Sequence, residues 1–176
     1  MKKNAYQVLS RKYRPQTFDD LMGQEIMVQT LKNAFKTNRI AHAYMLTGVR
    51  GVGKTTTARL LARSLNYETD IINEPNIDML ELGKHCLEIM ESRHIDVIEM
   101  DAASRTGIAD IREIIDSVNY SPASARYKIY IIDEVHMLSK AAFNGLLKTL
   151  EEPPAHVKFI FATTEVQKIP LTILSR

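Results

Sequence analysis

The chain has 176 residues, of which 45% are hydrophobic and 25% charged, and its formal net charge is +2. That suits one globular domain with a sizeable core, or one domain of a longer protein. So small a net charge means that any contact with nucleic acid needs a local basic face. In chain order, residues 26–35 read as an amphipathic helix, 43–47 as a buried strand and 55–65 as a helix with Leu60, Leu61 and Leu65 as core positions. Residues 66–76 have no clean period, and 77–90 look helical, so 66–93 form an excursion between the first strand–helix unit and the second strand. Residues 96–101 read as that second strand. Residues 107–118 follow as a helix, with Ile108, Ile111, Ile114, Ile115 and Val118 at helical spacing. A third strand at 128–133 is almost continuously apolar, as a strand covered on both faces should be. A helix at 139–150 is stopped by Pro153-Pro154, and 157–163 form a fourth strand. Strands alternating with helices predict an α/β fold with a parallel sheet.

No apolar run approaches the roughly 18 residues of a membrane span. The basic residues at the N-terminus precede no apolar signal core. Cys86 is the single cysteine, which excludes an internal disulfide and fits a reducing cytoplasm. The chain stops inside an apolar stretch, Leu171 to Arg176, without a cap, as expected of a piece of a longer protein.

Gly48-Val49-Arg50-Gly51-Val52-Gly53-Lys54-Thr55 fits G-x-x-x-x-G-K-[ST], a phosphate-binding loop between a strand and a helix. Glycines let successive N–H groups turn toward phosphate oxygens, and the following helix adds its positive end. Gly48, Gly51, Val52, Gly53, Lys54, Thr55 and Thr56 are therefore nucleotide-binding candidates. Lys54 is placed to reach the β- and γ-phosphates and the Thr55 hydroxyl to hold Mg²⁺. A turn that merely joins strand to helix would be a poor place for Lys54, because helix starts favour acids.

The strand at 128–133 ends in Asp133-Glu134, two carboxylates at the edge where ligands of parallel sheets bind. Asp133 is expected to hold Mg²⁺, directly or through water, and Glu134 to polarise the attacking water. Alone, two acids at a strand end only solvate it; beside a phosphate loop they indicate hydrolysis. Thr163-Thr164 ends the fourth strand beside Asp133, where a hydroxyl can bond the water or the γ-phosphate. His136 reads as a coupling or packing residue, since Glu134 already fills the water-activating role.

Several stretches carry a more specific resemblance: LSRKYRPQTF at 9–18, MGQE at 22–25, the 48–55 loop, DAASRT at 101–106, IDEVHML at 132–138, LLKTLEEPP at 146–154, FATT at 161–164 and Ser175-Arg176. Together they resemble the motor domain of a bacterial DNA polymerase III clamp-loader subunit of the gamma/tau type, within the AAA+ ATPases. The resemblance covers nearly the whole chain. It implies a P-loop α/β fold with a three-layer αβα arrangement and a five-stranded type of parallel sheet. Residues 1–176 are then one motor domain, with the helical lid and collar following it. It implies an ATP-binding and hydrolysing subunit that drives loading of the sliding clamp onto primed DNA in a bacterial cytoplasm, at the nucleoid. A non-hydrolysing scaffold subunit of the same complex and an AAA+ branch-migration motor are the alternatives. Intact Lys54, Thr55, Asp133 and Glu134 disfavour the first, and the 11–18 and 101–106 stretches the second.

Roles follow residue by residue. Tyr13, Arg14, Pro15, Met22 and Gly23 are implied to pack on adenine. Thr164, or its neighbour Thr163, is implied to sense the γ-phosphate. Ser175-Arg176 is implied to begin a Ser-Arg-Cys motif whose arginine, Arg176, reaches a neighbouring subunit's ATP site in trans. Arg105 and Thr106 are implied to face DNA phosphates, although Arg105 is equally placed to be a solvated loop residue. Implied partners are the other subunits of a hetero-oligomeric ring, the sliding clamp and primer-template DNA, with no membrane. The cofactors are ATP and Mg²⁺. The family's four-cysteine zinc module is matched here at Leu80, Gly83 and Cys86, only one of them a thiol, so no zinc is expected. Ile77, Leu80, Leu82, Leu87 and Met90 are expected to pin the excursion instead.

Overall fold

The computed structural model describes residues 15–105 and 108–176. Four strands, β1 (Ala43–Thr47), β2 (Val97–Asp101), β3 (Lys128–Asp133) and β4 (Val157–Thr163), form one parallel sheet in the order β1-β4-β3-β2. The helices are α1 (Glu25–Lys36), α2 (Lys54–Leu65), α3 (Cys86–Met90), α4 (Ile108–Val118), α5 (Lys140–Glu151) and α6 (Leu171–Leu174). The α/β architecture stands as expected; of a five-stranded sheet, four strands lie among the described residues. None of the described helices is long and apolar enough to cross a membrane.

The strand order explains the layers. From β1 the chain crosses past two strands to the far edge at β2, then returns through β3 to β4 beside β1. Parallel crossovers are right-handed, so reversing direction puts the connecting helices on opposite faces. Leu60, Leu61 and Leu65 of α2 pack with Ile129 and Ile131 of β3 on one face, joined by Val28 and Leu31 of α1. On the other face, Ile111 of α4 and Phe143 and Leu146 of α5 pack with Tyr130 and Ile132. β3, the strand expected to be covered on both faces, is buried from Ile129 to Ile132, and β4 is buried at every position. Tyr130 and Phe159 stack with ring centroids 5.4 Å apart, and Phe159 continues the stack to Phe161 at 5.7 Å.

Helix ends differ from the sequence expectation by a residue or so. Ser139 is the cap of α5 rather than its first residue, since its hydroxyl accepts the Ala142 N–H at 3.2 Å. Gly107 lies outside the described residues.

The excursion is the real departure. The expected helix over 77–90 is present only as Cys86–Met90. The preceding backbone groups are claimed by side chains and by the 67–68 segment. Tyr67 Oη donates to the Glu81 carbonyl at 2.9 Å and accepts the Glu81 N–H at 3.2 Å. The Asn76 side chain accepts the Asp78 N–H at 2.8 Å, and the Lys84 N–H donates to the Glu68 carbonyl at 2.8 Å. The expected apolar pins also change. Ile77 is buried and Met90 partly so, but Leu80 is 92% exposed and Leu82 and Leu87 are exposed as well. Tyr67, Met79, Cys86 and Ile89 hold the segment to the core instead. Ile89→Ala is therefore expected to lower unfolding free energy by about 2–4 kcal/mol, and Leu80→Ala by less than about 0.5 kcal/mol. Urea titration of both variants checks this.

A histidine pair closes the excursion onto β2. His94 Nδ1 accepts the Asp96 N–H at 3.0 Å, so its Nε2 carries the proton and donates to His85 Nδ1 at 2.9 Å. Burial, and then the proximity of His85, push the His94 pKa down; Asp96 and Glu88 oppose this. The unfolded chain takes up a proton near pH ~6.5 that folded His94 resists. Its contribution is therefore complete above that pH and is lost as pH falls below it. Stability measured from pH 7 to 5 is expected to fall less steeply in His94→Asn than in the parent chain.

Candidate active site

The loop after β1 and the acids after β3 meet at the carboxyl edge of the sheet, on either side of β4. Gly53, the residue before α2, has φ +97°, a conformation that side-chain-bearing residues rarely adopt. The loop is tied down by the Gly48 N–H donating to the Thr163 carbonyl at 3.3 Å and by Gln24 Nε2 donating to the Val52 carbonyl at 3.3 Å. Lys54 Nζ arches over it to the carbonyls of Gly48 and Val49, at 2.9 and 3.1 Å. The Thr55 hydroxyl donates to Asp133 Oδ2 at 2.6 Å, which brings together the two residues expected to share Mg²⁺. A cation between them would exchange that bond for two oxygen ligands.

Lys54 lines two cavities. One, of about 460 Å³, is polar and acid-walled; Arg50, Thr55, Thr56, Asp101, Asp133 and Glu134 line it. The other, of about 520 Å³, lies behind the loop and is lined by Gly23, Met27, Met45, Val52 and Thr57 among others. Thr57 is 2% exposed, and its hydroxyl has no hydrogen-bond partner among the described residues. An orphaned buried hydroxyl beside an apolar cavity suits a ligand that brings its own polar edge. Met22 is 92% exposed and Pro15 half-buried, while Tyr13 and Arg14 lie outside the described residues.

Glu134 sits in a left-handed conformation, φ +47°, at the turn after β3. Thr164 Oγ1 donates to its Oε2 at 3.2 Å. Thr163 is fully buried and engaged elsewhere, with His136 Nδ1 at 2.9 Å and the Glu165 N–H at 3.0 Å. Of the two threonines, Thr164 is the one that meets the acids.

Two expected residues stand apart from this cluster. Arg176 pairs with Glu151 at 2.8 Å and lines neither cavity. Arg105 is exposed at the end of β2, its N–H donating to the Asp101 carbonyl, and Thr106 lies outside the described residues. Beside Met27 and Met45 of the second cavity, three polar site residues escaped the sequence reading. Asp101 stands opposite Asp133 in the β2–β3 register and lines the acidic cavity. Arg50 was visible only as a variable loop position. Thr57 lay inside a helix with nothing to mark it. The strand-end position of Asp101 was the one available signal.

A parallel sheet with this loop and these acids at one edge has close relatives in known structures. A gamma subunit-related protein of DNA polymerase III from Thermotoga maritima superposes with a TM-score of 0.54 at 24% identity, over 85% of this chain and 43% of that one. The Thermotoga maritima RuvB Holliday junction branch migration motor superposes with a TM-score of 0.59 at 21% identity, over 93% of this chain and 46% of that one. These likenesses define the class by fold, a parallel sheet flanked by helices. Residues 23–176 match the family model described as "DNA polymerase III, delta subunit", and the chain belongs to that family. At 57% identity over 172 residues it is similar to the DNA polymerase III subunit tau of Salmonella typhimurium, covering 98% of this chain and 26% of that protein. The family description names the delta subunit and the relative the tau subunit; the whole-chain identity makes tau the nearer likeness. The chain spans about a quarter of that relative.

Proposed function

We propose that residues 1–176 are an ATP-binding and hydrolysing motor domain of a DNA polymerase III clamp loader, driving placement of a sliding clamp on primed DNA. The observation that carries this is the pair of cavities meeting at Lys54. One offers an apolar slot with an orphaned Thr57 hydroxyl for a base, and the other a hydroxyl–carboxylate pair and a second acid for phosphates and their metal. Whole-chain similarity to a tau subunit supports the assignment to the replicative complex.

In this reading the loop amides of 48–55 and Lys54 orient the triphosphate, with Gly23 and Met27 against the base. Thr55 and Asp133 would hold Mg²⁺, which would supply positive charge against the phosphates. Glu134 takes the proton of the attacking water, and Thr164 turns its hydroxyl from Glu134 toward the γ-phosphate. Arg176, outside its own pocket, would leave Glu151 to serve the neighbouring subunit's site in a hetero-oligomeric ring; Arg105 and Thr106 face DNA phosphates. The 66–93 excursion stands in place of a zinc module and holds no zinc, with Cys86 a buried packing residue. The protein works at the bacterial replisome in the cytoplasm.

In the full-length protein within its assembly, Glu134→Gln is expected to lower ATP turnover about 100-fold or more while ATP binding persists. Equilibrium binding and steady-state turnover measure the two separately, and unchanged turnover would refute the assignment. Arg176→Ala is expected to leave ATP affinity nearly intact and to lower turnover about 1,000-fold when every finger in the ring is removed. Mixed assemblies of Arg176→Ala and Glu134→Gln subunits check the trans geometry, because only interfaces pairing two intact halves should turn over.

A further inference from the structure

His136 follows Glu134 in a 3₁₀ turn, Val135–Met137, and its side chain is 6% exposed. The ring is wedged between two carboxylates and a buried hydroxyl. Nδ1 lies 2.9 Å from Thr163 Oγ1 and 3.5 Å from Glu134 Oε2, and Nε2 lies 3.5 Å from Glu165 Oε1. Glu165 is itself paired with Lys168 at 2.8 Å. A histidine kept only for packing would sit among apolar groups; this one faces polar atoms at both nitrogens.

Glu134 needs such a neighbour. Among the described residues its carboxylate accepts one side-chain hydrogen bond, from Thr164. Thr164 is also the hydroxyl proposed to turn toward the γ-phosphate. Once it turns, the group still beside Glu134 is the imidazole. A base whose carboxylate swings freely loses the alignment on which proton transfer depends. The ring is anchored by Thr163 at the end of β4 and by Glu165 just beyond it, so it carries the position of the strand end to the base.

We infer that His136 is a positioning residue for Glu134, keeping the carboxylate oriented toward the attacking water while Thr164 is engaged with phosphate. This rests on the proposed role of Glu134 as the base. The test uses full-length protein in its assembly and three substitutions. In His136→Asn an amide stands near the Nδ1 position, in His136→Gln near the Nε2 position, and His136→Phe keeps only the shape. Expected are a roughly tenfold or greater loss of kcat for Phe and Gln, with Asn within about threefold of the parent and the KM for ATP little changed in all three. A purely structural role would instead lower Tm alike in Asn and Gln without separating their kcat values. Wild-type kcat in the Phe or Gln variant, or Asn failing as badly as Gln, overturns the inference. Should Phe not fold, the Asn–Gln contrast decides alone. Glu134→Gln run alongside separates the two levels. Unchanged turnover there removes the base and this inference with it, whereas lost turnover with an indifferent His136 removes the inference only.

Discussion

The site depends on where the chain reverses direction in the sheet. Because each crossover must be right-handed, the jump from β1 to β2 lays α2 on one face, and the return through β3 lays α4 and α5 on the other. The reversal leaves α2 starting just beyond the carboxyl end of β1. The loop joins the two, and β4 inserted between β1 and β3 sets the distance between loop and acids. The 2.6 Å bond between Thr55 and Asp133 is the local result: a helix start and a strand end separated by 78 positions, aimed at one point.

Charge sorts itself around that point. Asp101, Asp133 and Glu134 crowd one wall of the acidic cavity, opposed by Lys54, Arg50 and the amide-rich start of α2. Like charges at adjacent strand ends repel, and the fold tolerates them only because local donors are spent on them. The Ala103 N–H and the Ser104 hydroxyl are given to Asp101, the Glu134 N–H to Asp133, and the Thr164 hydroxyl to Glu134. Each of those donors sits in a turn just beyond a strand. A bound cation and a triphosphate would complete the balance, with the metal answering the carboxylates and Lys54 answering the phosphates.

The sheet and its loop were legible because each strand was a short apolar run closed by a chemical signal: the glycine loop after β1, paired acids after β3, paired threonines after β4. Those signals are local, and local signals survive in a linear reading. Asp101, Arg50 and Thr57 were missed because their roles come only from register or helix phase. Asp101 matters because it faces Asp133 across a strand pair, and Thr57 because one helical turn beyond Lys54 points into a cavity. The helix expected over 77–90 failed for the complementary reason. Its apolar spacing was adequate, but Tyr67 and Glu68 take the backbone groups at Glu81 and Lys84 that a helix would have used, and no periodicity records a competitor sixteen residues away.

The excursion shows how such a segment stays folded with a single thiol. A Cβ at Gly83 would approach the Glu68 carbonyl to 2.8 Å, so the backbone there packs too closely for a side chain. The Arg126 guanidinium donates to the carbonyls of Leu65 and Tyr67 and to Asn73, the Asn66 amide spans to the backbone of Tyr127, and His85 meets His94. These contacts tie the excursion to the residues leading into β3 and β2, which end in Asp133 and Asp101. The segment is thus held by many modest bonds. Part of its strength rests on His94, whose imidazole burial holds below the usual histidine range, so acid acts on this peripheral segment through that ring.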